Sequence, residues 1–199
     1  DEVCYANLSR LLDTAKAHNQ FVRIDMEGSD YTQATIDLFK RALNDYQGHV
    51  GIVLQAYLHR TAKDVADLAS LGADIRLCKG AYKEPSSVAL QSMDDIRAAY
   101  KEYAKVLIEK TAFPRMATHD GSLVKWLLEY AKSEGLAKDR FEFQMLYGLR
   151  EKTMNERSAD GWKTCIYVPY GTMWFPYFTR RLMERKENVF FIATTLLKP

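Results

Sequence analysis

The chain has 199 residues, and its 28 Lys and Arg residues nearly balance its 26 Asp and Glu residues, for a formal net charge of +2. This balance argues against electrostatic binding of nucleic acid. Hydrophobic residues make up 47% and charged residues 27%, as is typical of a globular protein with a large core. The longest apolar runs, 50–58 and 189–197, fall short of the roughly 18 residues that a membrane-spanning helix needs.

The cysteine pattern indicates the redox compartment. Cys4, Cys78 and Cys165 are an odd number and are far apart, with no CxxC pair. This spacing is typical of reduced thiols in a cytosolic-type compartment rather than of a disulfide framework or a metal site.

Helical and strand patterns alternate along the whole chain. Apolar spacing predicts helices and strands in turn, and each strand ends in a polar residue. In chain order, the predicted elements are a helix over 4–19, a strand over 21–26, a helix over 32–46, a strand over 50–57, a helix over 63–71, a strand over 75–78, a helix over 94–109, a strand over 115–118, a helix over 123–133, a strand over 141–146, a helix near 151, a strand over 164–168 and a last helix over 175–186. Apolar strands separated by single helices predict parallel strands that helices bury on both faces.

This repeat favours an α/β barrel in a single domain over residues 1–199. A doubly wound sheet usually has a glycine-rich loop after its first strand, and neither GxGxxG nor GxxxxGK occurs here. In a (β/α)8 barrel of the TIM type, the chemistry gathers at the C-terminal ends of the strands. Only about six of the eight βα units are present, so the sequence predicts an open arc with two unpaired edges.

Two cations lie at the end of the third predicted strand. Arg76 and Lys79 follow an apolar run in the segment 75–82, and a buried cation needs an anionic partner. One interpretation pairs Lys79 with a carboxylate such as Asp25 or Glu27. The others are a phosphate contact and a Schiff-base lysine.

The histidines do not form a metal site. His119 follows a predicted strand, and a lone histidine is more often a structural hydrogen-bonding group than a general base. The remaining histidines, His18, His49 and His59, lie in helix-end or loop contexts, so no three-ligand set assembles and no metal is expected.

The last helix carries a polar stripe. Tyr177, Arg180, Arg181 and Glu184 lie at i, i+3, i+4 and i+7, the spacing of a buried helix face. The stripe could be a solvated face with one ion pair worth a few tenths of a kcal/mol. Several aromatic residues crowd the same segment, however, and two neighbouring guanidinium groups that face a cavity need an anion between them. This interpretation implies an acidic ligand, which Tyr82, Tyr167 and Tyr177 could surround.

Seven short motifs, which follow one another along the chain, together resemble those of a known family. They are Arg23-Ile-Asp-Met-Glu27, Gln55-Ala-Tyr57, Arg76-Leu-Cys-Lys-Gly-Ala-Tyr82, Thr118-His119, Phe143-Gln144, Ile166-Tyr-Val-Pro-Tyr-Gly171 and Tyr177-Phe-Thr-Arg-Arg181 with Glu184. Together they resemble the proline dehydrogenase family, in its single-function form.

The resemblance implies a distorted (β/α)8 barrel that holds FAD noncovalently. It implies oxidation of L-proline to Δ1-pyrroline-5-carboxylate by hydride transfer to the flavin, with the electrons passed to a quinone. A peripheral contact with the membrane follows from the quinone. The expected location is therefore the bacterial cytoplasm and inner membrane, or the matrix side of the mitochondrial membrane in a eukaryote.

Family roles are carried over position by position. For the substrate, the resemblance implies that Arg180 and Arg181 hold the proline carboxylate, that Asp25 supports an arginine, and that Leu77, Tyr82, Tyr167 and Tyr177 surround the ring. For FAD, the implied contacts are Gln55, Arg76, Lys79, Ala81, Thr118, His119, Gln144 and Glu184.

The start of the chain departs from the family pattern. The family begins with two further strand–helix units, the second of which carries an active-site lysine, whereas this sequence starts at Asp1 in the helix that follows them. A processed or excerpted chain is therefore expected. Two alternative functions stay open, namely an aldolase-like barrel that uses Lys79 as a Schiff base and a non-catalytic fragment that binds flavin or an acidic metabolite.

Overall fold

The computed structural model describes residues 2–172 and residue 175. Helices and strands alternate throughout this part, with one short 3₁₀ helix, Ser29–Tyr31, after the first strand. The elements are α1 (Glu2–Ala17), β1 (Val22–Ile24), α2 (Thr32–Asp45), β2 (Val50–Gln55), α3 (Thr61–Ser70), β3 (Asp74–Cys78), α4 (Met93–Lys110), β4 (Arg115–Ala117), α5 (Gly121–Ser133), β5 (Glu142–Leu146), α6 (Glu151–Ala159) and β6 (Lys163–Tyr167).

The six strands form one parallel sheet in the order β1-β2-β3-β4-β5-β6. Each strand therefore pairs with the next one in the chain, and no connection returns to the first strand, as it does in a doubly wound sheet. The sheet curls into a half-barrel with helices on its outer side. This topology confirms the predicted α/β barrel architecture with six βα units.

The elements match the predicted ones closely, with ends shifted by a few residues. All six strands and the first six helices are confirmed. Side-chain caps explain two of the helix starts, because Ser92 accepts a hydrogen bond from the Asp95 amide and Asp120 accepts one from the Ser122 amide. The predicted last helix, 175–186, lies outside the described residues apart from Phe175, which is exposed.

The apolar core lies between the sheet and the helices. One face of each of the strands β2 to β5 contributes fully buried side chains to it, and the helices contribute the opposing layer. Its largest fully buried members include Phe39, Ile52, Leu54, Leu68, Ile75, Leu77, Tyr100, Phe141 and Phe143.

The inner face of the sheet is polar, so the prediction that helices bury the strands on both faces was wrong. Only β2 is buried along its whole length, whereas β3 alternates between buried and half-buried positions and β6 is mostly exposed. Successive side chains of a strand point to opposite faces of the sheet, and in these short strands the polar side chains point inward. The apolar side chains next to them in sequence face the helices, and the strands were therefore predicted as continuous apolar runs.

An ion-pair network crosses this inner face near the N-terminal ends of the strands. Asp74 accepts from Arg115 Nη2 at 2.8 Å and pairs with Arg23, whose Nη1 also donates to the Asp74 carbonyl oxygen at 2.8 Å. Arg115 also pairs with Glu142 at 2.9 Å. The four charges balance, and they lie on four different strands, so the network ties β1, β3, β4 and β5 together.

Within residues 2–172, no helix combines the length and the apolar character needed to cross a membrane. Cys4, Cys78 and Cys165 are all free thiols, as predicted.

A substitution at Gly51 tests how tightly the inner face is packed. A Cβ atom there would lie 2.7 Å from the Asp74 carbonyl oxygen and 2.7 Å from the Phe21 ring, and it would overlap the Arg23 guanidinium. We expect Gly51→Ala to lower the free energy of unfolding by about 2 kcal/mol or more, because backbone atoms cannot move aside. Urea unfolding measures this loss.

Gly121→Ala is the matched control. A Cβ atom at Gly121 has only the Arg150 guanidinium nitrogens nearby, at 3.8 Å. Alanine also favours a helix by up to about 1 kcal/mol relative to glycine, so the control is expected to be neutral or stabilising. Equal losses in the two variants would contradict the tight packing around Gly51.

Candidate functional site

Most of the predicted site residues that the structure describes gather at the C-terminal edge of the sheet. The carboxyl ends of parallel strands meet at one edge, and the loops that follow them bring side chains together there. β3 and β4, with the loops that follow them, contribute the charged groups, while β2 and β5 contribute amides.

Arg76 is the middle residue of β3, and its side chain reaches residues that follow or end β1 and β6. Its side chain is 15% exposed, and its Nη1 lies 3.7 Å from Asp25 Oδ1. The guanidinium carbon lies 5.7 Å from the centre of the Tyr167 ring, within range of a cation–π contact. The Arg76 Nε atom is buried and has no hydrogen-bond partner among the described residues. Arg76 is therefore the arginine that Asp25 supports in this part of the chain.

Gln55 ends β2 and is 4% exposed. Its Nε2 donates to the carbonyl oxygens of Met26 and Glu27, at 3.3 Å each. Its Oε1 is buried, and no donor reaches it from residues 2–172 or 175. The amide thus fixes the loop after β1 with its donor end and keeps an acceptor available.

Gly80 allows the chain after β3 to approach β2 closely. It has a φ of +105°, and a Cβ atom there would overlap the Tyr57 ring, with Cγ only 2.6 Å away. The Tyr57 amide also donates to the Lys79 carbonyl oxygen at 3.0 Å. Only glycine fits this position, and the adjoining residues Lys79 and Ala81 are held beside the end of β2.

The partner of Lys79 is Asp120, and the predicted pairing with Asp25 or Glu27 was wrong. Lys79 Nζ lies 3.2 Å from Asp120 Oδ2. Glu27 accepts instead from the Tyr82 hydroxyl, and Asp25 pairs with Arg76. Lys79 follows β3, whose spatial neighbour β4 leads directly into Asp120, so the nearest carboxylate comes from the next βα unit rather than from β1.

Asp120 is a site residue that the sequence reasoning missed. It caps α5, with Oδ1 accepting from the Ser122 amide at 3.1 Å and from the Ser122 hydroxyl at 2.7 Å. Oδ2 accepts from Lys79 and from Arg97 Nε, the latter at 2.9 Å. Although burial alone would raise its pKa, these hydrogen bonds and cations hold the pKa of the carboxyl well below its usual range. The signal in the sequence was an aspartate directly before a Gly-Ser helix start.

His119 forms a hydrogen bond with the backbone of β5. The Leu146 amide donates to its Nε2 at 2.9 Å. Because that nitrogen accepts, the neutral ring carries its proton on Nδ1. Burial, together with the positive charges of Lys79 and Arg150, lowers the pKa of His119 from 6.5 to about 4.

Thr118 directly follows β4, Gln144 lies in the middle of the neighbouring strand β5, and both are buried. The Thr118 amide donates to the Gln144 carbonyl oxygen at 3.2 Å, and the Thr118 hydroxyl accepts from the Asp120 amide at 3.1 Å. Gln144 Nε2 donates to Glu142 at 2.6 Å. The hydrogen bond between Thr118 and Gln144 joins the end of β4 to β5.

The loops after β1 and β3 are fastened to each other. Glu84 accepts from the Ser29 amide and from the Ser29 hydroxyl, at 2.7 Å each. Tyr82 donates to Glu27 across the same gap. The position of Tyr82 at the edge of the sheet therefore depends on both loops.

The remaining predicted residues are not all at this edge. Leu77 is fully buried in the core on the helix-facing side, opposite to Arg76 and Cys78. Tyr177, Arg180, Arg181 and Glu184 lie outside the described residues. Across 2–172 and 175, no group of three or more His, Cys, Asp and Glu side chains could hold a metal ion.

Comparisons with known proteins agree with the geometry. A family model described as proline dehydrogenase matches residues 3–194. Proline dehydrogenase 2 of Bacillus subtilis (strain 168) is 42% identical over 197 residues, and the proline dehydrogenase of Deinococcus radiodurans is 34% identical over 199 residues. The crystal structure of proline utilization A from Bdellovibrio bacteriovorus inactivated by N-propargylglycine matches with a TM-score of 0.82 and 26% identity.

The matches cover this chain more completely than they cover the relatives. The two sequence relatives align with 99% and 100% of this chain, which spans 65% and 64% of their own lengths. The crystal structure aligns with 92% of this chain and 22% of its own.

The depressed pKa of His119 predicts a dependence of stability on pH. The unfolded chain takes up the proton near pH 6.5 and the folded chain only near pH 4, so this stability is complete above the unfolded value and is lost as the pH falls through the folded one. Between pH 7.5 and 4.5, the difference in free energy of unfolding between wild type and His119→Gln is expected to fall by about 2 kcal/mol. Urea unfolding at both pH values measures it.

The glutamine is a matched replacement because its side-chain oxygen can accept the Leu146 amide without titrating in this range. Other carboxylates titrate equally in both proteins, so the difference isolates His119. A difference that stays constant with pH would show that His119 is protonated in the folded protein as easily as in the unfolded one.

Proposed function

Because this chain belongs to the proline dehydrogenase family, we propose that it carries out the oxidation of L-proline to Δ1-pyrroline-5-carboxylate with FAD as the electron acceptor. The observation that best supports this proposal is that two buried polar atoms toward the C-terminal edge of the sheet, Gln55 Oε1 and Arg76 Nε, find no partner among the described residues. A buried acceptor and a buried donor on neighbouring strands each incur a desolvation cost unless a ligand satisfies them.

The residues present fit a flavin nucleotide. Its ring edge offers both hydrogen-bond donors and acceptors, which match Gln55 and Arg76, and its phosphates match Lys79. When bound, FAD supplies the two-electron redox chemistry that amino-acid side chains lack. The residues proposed to hold it are Gln55, Arg76, Lys79, Ala81, Thr118, His119, Gln144 and Glu184.

Arg76 is proposed to stabilise negative charge next to the ring. Its guanidinium keeps its orientation because Asp25 and the Tyr167 ring contact it from two sides. A cation fixed in advance at the place where charge develops lowers the barrier without reorganising during the reaction. His119 complements it with a neutral Nδ1–H donor, which needs no proton from solvent near pH 7.

The substrate side of the site depends on the last segment of the chain. In this proposal, Arg180 and Arg181 bind the proline carboxylate through their forked N–H donors, and Tyr82, Tyr167 and Tyr177 enclose the ring. Leu77 would support this wall from the core behind it. Oxidation removes a hydride from proline Cδ, the ring carbon bonded to nitrogen that does not carry the carboxylate, and a proton from the nitrogen. The carboxylate contacts serve to orient that carbon.

A quinone is the proposed final electron acceptor. The family resemblance supports it, and with it a peripheral encounter with the bacterial inner membrane or, in a eukaryote, with the mitochondrial inner membrane from the matrix side.

The aldolase-like alternative is disfavoured by the Lys79 contact. A Schiff base needs a free amine, whereas the Asp120 carboxylate stabilises the ammonium. The non-catalytic alternative has an observation in its favour, since the sheet of the described residues is an open half-barrel whose outer strands β1 and β6 each pair on one side only.

Reconstitution with FAD tests the proposed function. The purified chain should turn yellow on addition of FAD, and the visible absorption of the oxidised flavin should disappear when L-proline is added without oxygen. D-proline is the matched control, because it presents the same groups with the opposite geometry. A chain that retains FAD whose absorption never bleaches would support the non-catalytic alternative. A chain that takes up no FAD would contradict both the proposed function and binding of flavin without catalysis.

Arg181→Lys tests the carboxylate contact. Lysine keeps the positive charge but loses the planar fork, so we expect the KM for L-proline to rise at least about tenfold, a loss of roughly 1.4 kcal/mol. The dissociation constant of FAD and the melting temperature should stay near the wild-type values. Arg10→Lys, a change on the exposed side of α1, is the control, and an equal KM in all three proteins would contradict the proposed role.

A further inference from the structure

We propose that Asp120 is a positioning residue that fixes the Lys79 ammonium, and through it the cationic part of the cofactor site. This inference rests on the proposed function, because it concerns how Lys79 is presented to FAD. It follows from the contacts of a single carboxylate that joins β3, α4 and α5.

The two oxygens of Asp120 have separate tasks. Oδ1 receives both hydrogen bonds from Ser122 and is enough to cap α5. Oδ2 takes no part in the cap and instead accepts from Lys79 at 3.2 Å and from Arg97 at 2.9 Å. A helix cap alone needs no ionised group, since asparagine caps equally well. The charge of Asp120 is therefore needed for the two cations.

Lys79 is held at two points rather than free on its long side chain. Besides Asp120, its Nζ donates to Met93 Sδ at 3.6 Å. An ammonium has three N–H donors, and the third finds no partner in the part of the chain that the structure describes. The side chain is 25% exposed, so this third donor is available to an anion. A flexible lysine that is fixed in advance loses less entropy when it binds.

The charges that surround Lys79 are nearly balanced. Asp120 offsets one of the two positive charges of Lys79 and Arg97, and the exposed Asp94 pairs with Arg97 from the solvent side at 3.1 Å. His119, which lies near both Lys79 and Arg150, is neutral when its Nε2 accepts from Leu146. The carboxylate thus positions the ammonium, which keeps one N–H donor for a phosphate oxygen.

Asp120→Asn separates the two tasks, since the amide oxygen can still cap α5 while the negative charge is removed. In the full chain, we expect this variant to raise the dissociation constant of FAD about tenfold or more, with a smaller effect on the rate at which L-proline bleaches flavin at saturating FAD. In a Lys79→Met background, the same substitution should change the dissociation constant less than about twofold, because a residue that acts through Lys79 has no effect without it.

Asp94→Asn is the matched control. It removes the same charge from the same Arg97, but Asp94 has no contact with Lys79 and its side chain is 91% exposed. We expect it to leave the dissociation constant of FAD within about twofold of wild type. If Asp120→Asn also leaves it unchanged, or weakens binding equally when Lys79 is methionine, the positioning role is wrong and Asp120 serves only the fold.

A measurement without ligand separates this inference from the proposed function. Acetylation of Lys79 by a small amine reagent, followed by peptide mass spectrometry, should be several times faster in Asp120→Asn than in wild type or Asp94→Asn, because the amine is released. Faster acetylation in a protein that takes up no FAD would support the positioning and refute the function. Unchanged acetylation would overturn the positioning whatever the protein binds.

Discussion

The parallel register of the six strands is the constraint on which the rest of the structure depends. It places Arg23, Gly51 and Asp74 side by side, and Arg76 beside Arg115. Charged side chains therefore share one face of the sheet while Ile52, Ile75 and other apolar side chains share the other. A shift of one residue in any strand would bury these charges against the helices, at a cost of several kcal/mol for each ion.

The same register places the groups that stabilise the fold and the groups of the candidate site at opposite ends of the strands. Near the N-terminal ends, the balanced network around Asp74 satisfies its own charges and leaves little for a ligand. At the C-terminal edge, Gln55 and Arg76 each keep a buried polar atom without a partner among the described residues. Such atoms are costly in a folded protein, and they distinguish this end of the half-barrel from the satisfied network around Asp74.

Much of this arrangement could be predicted from the sequence, and the exceptions have physical causes. Helical spacing and apolar runs located every described α-helix and strand, although not the short 3₁₀ helix Ser29–Tyr31, because burial on the helix-facing side is a local pattern. The polar inner face was missed because a three-residue strand such as β1 or β4 is too short to show its alternation. The partner of Lys79 was missed because pairing across the sheet depends on which strands are neighbours.

Two cations of the site, Arg76 and Lys79, each pair with a carboxylate that belongs to another βα unit. Arg76 on β3 is matched by Asp25 after β1, and Lys79 after β3 is matched by Asp120 after β4. The Asp25–Arg76 pair requires β1, β2 and β3 to be in register, and the Lys79–Asp120 pair requires the same of β3 and β4. The charges of the site therefore come together only when the sheet forms. The geometry that would receive a ligand is therefore a consequence of the folded half-barrel itself, and any substitution that loosens the pairing of β2, β3 and β4 should displace both cations together.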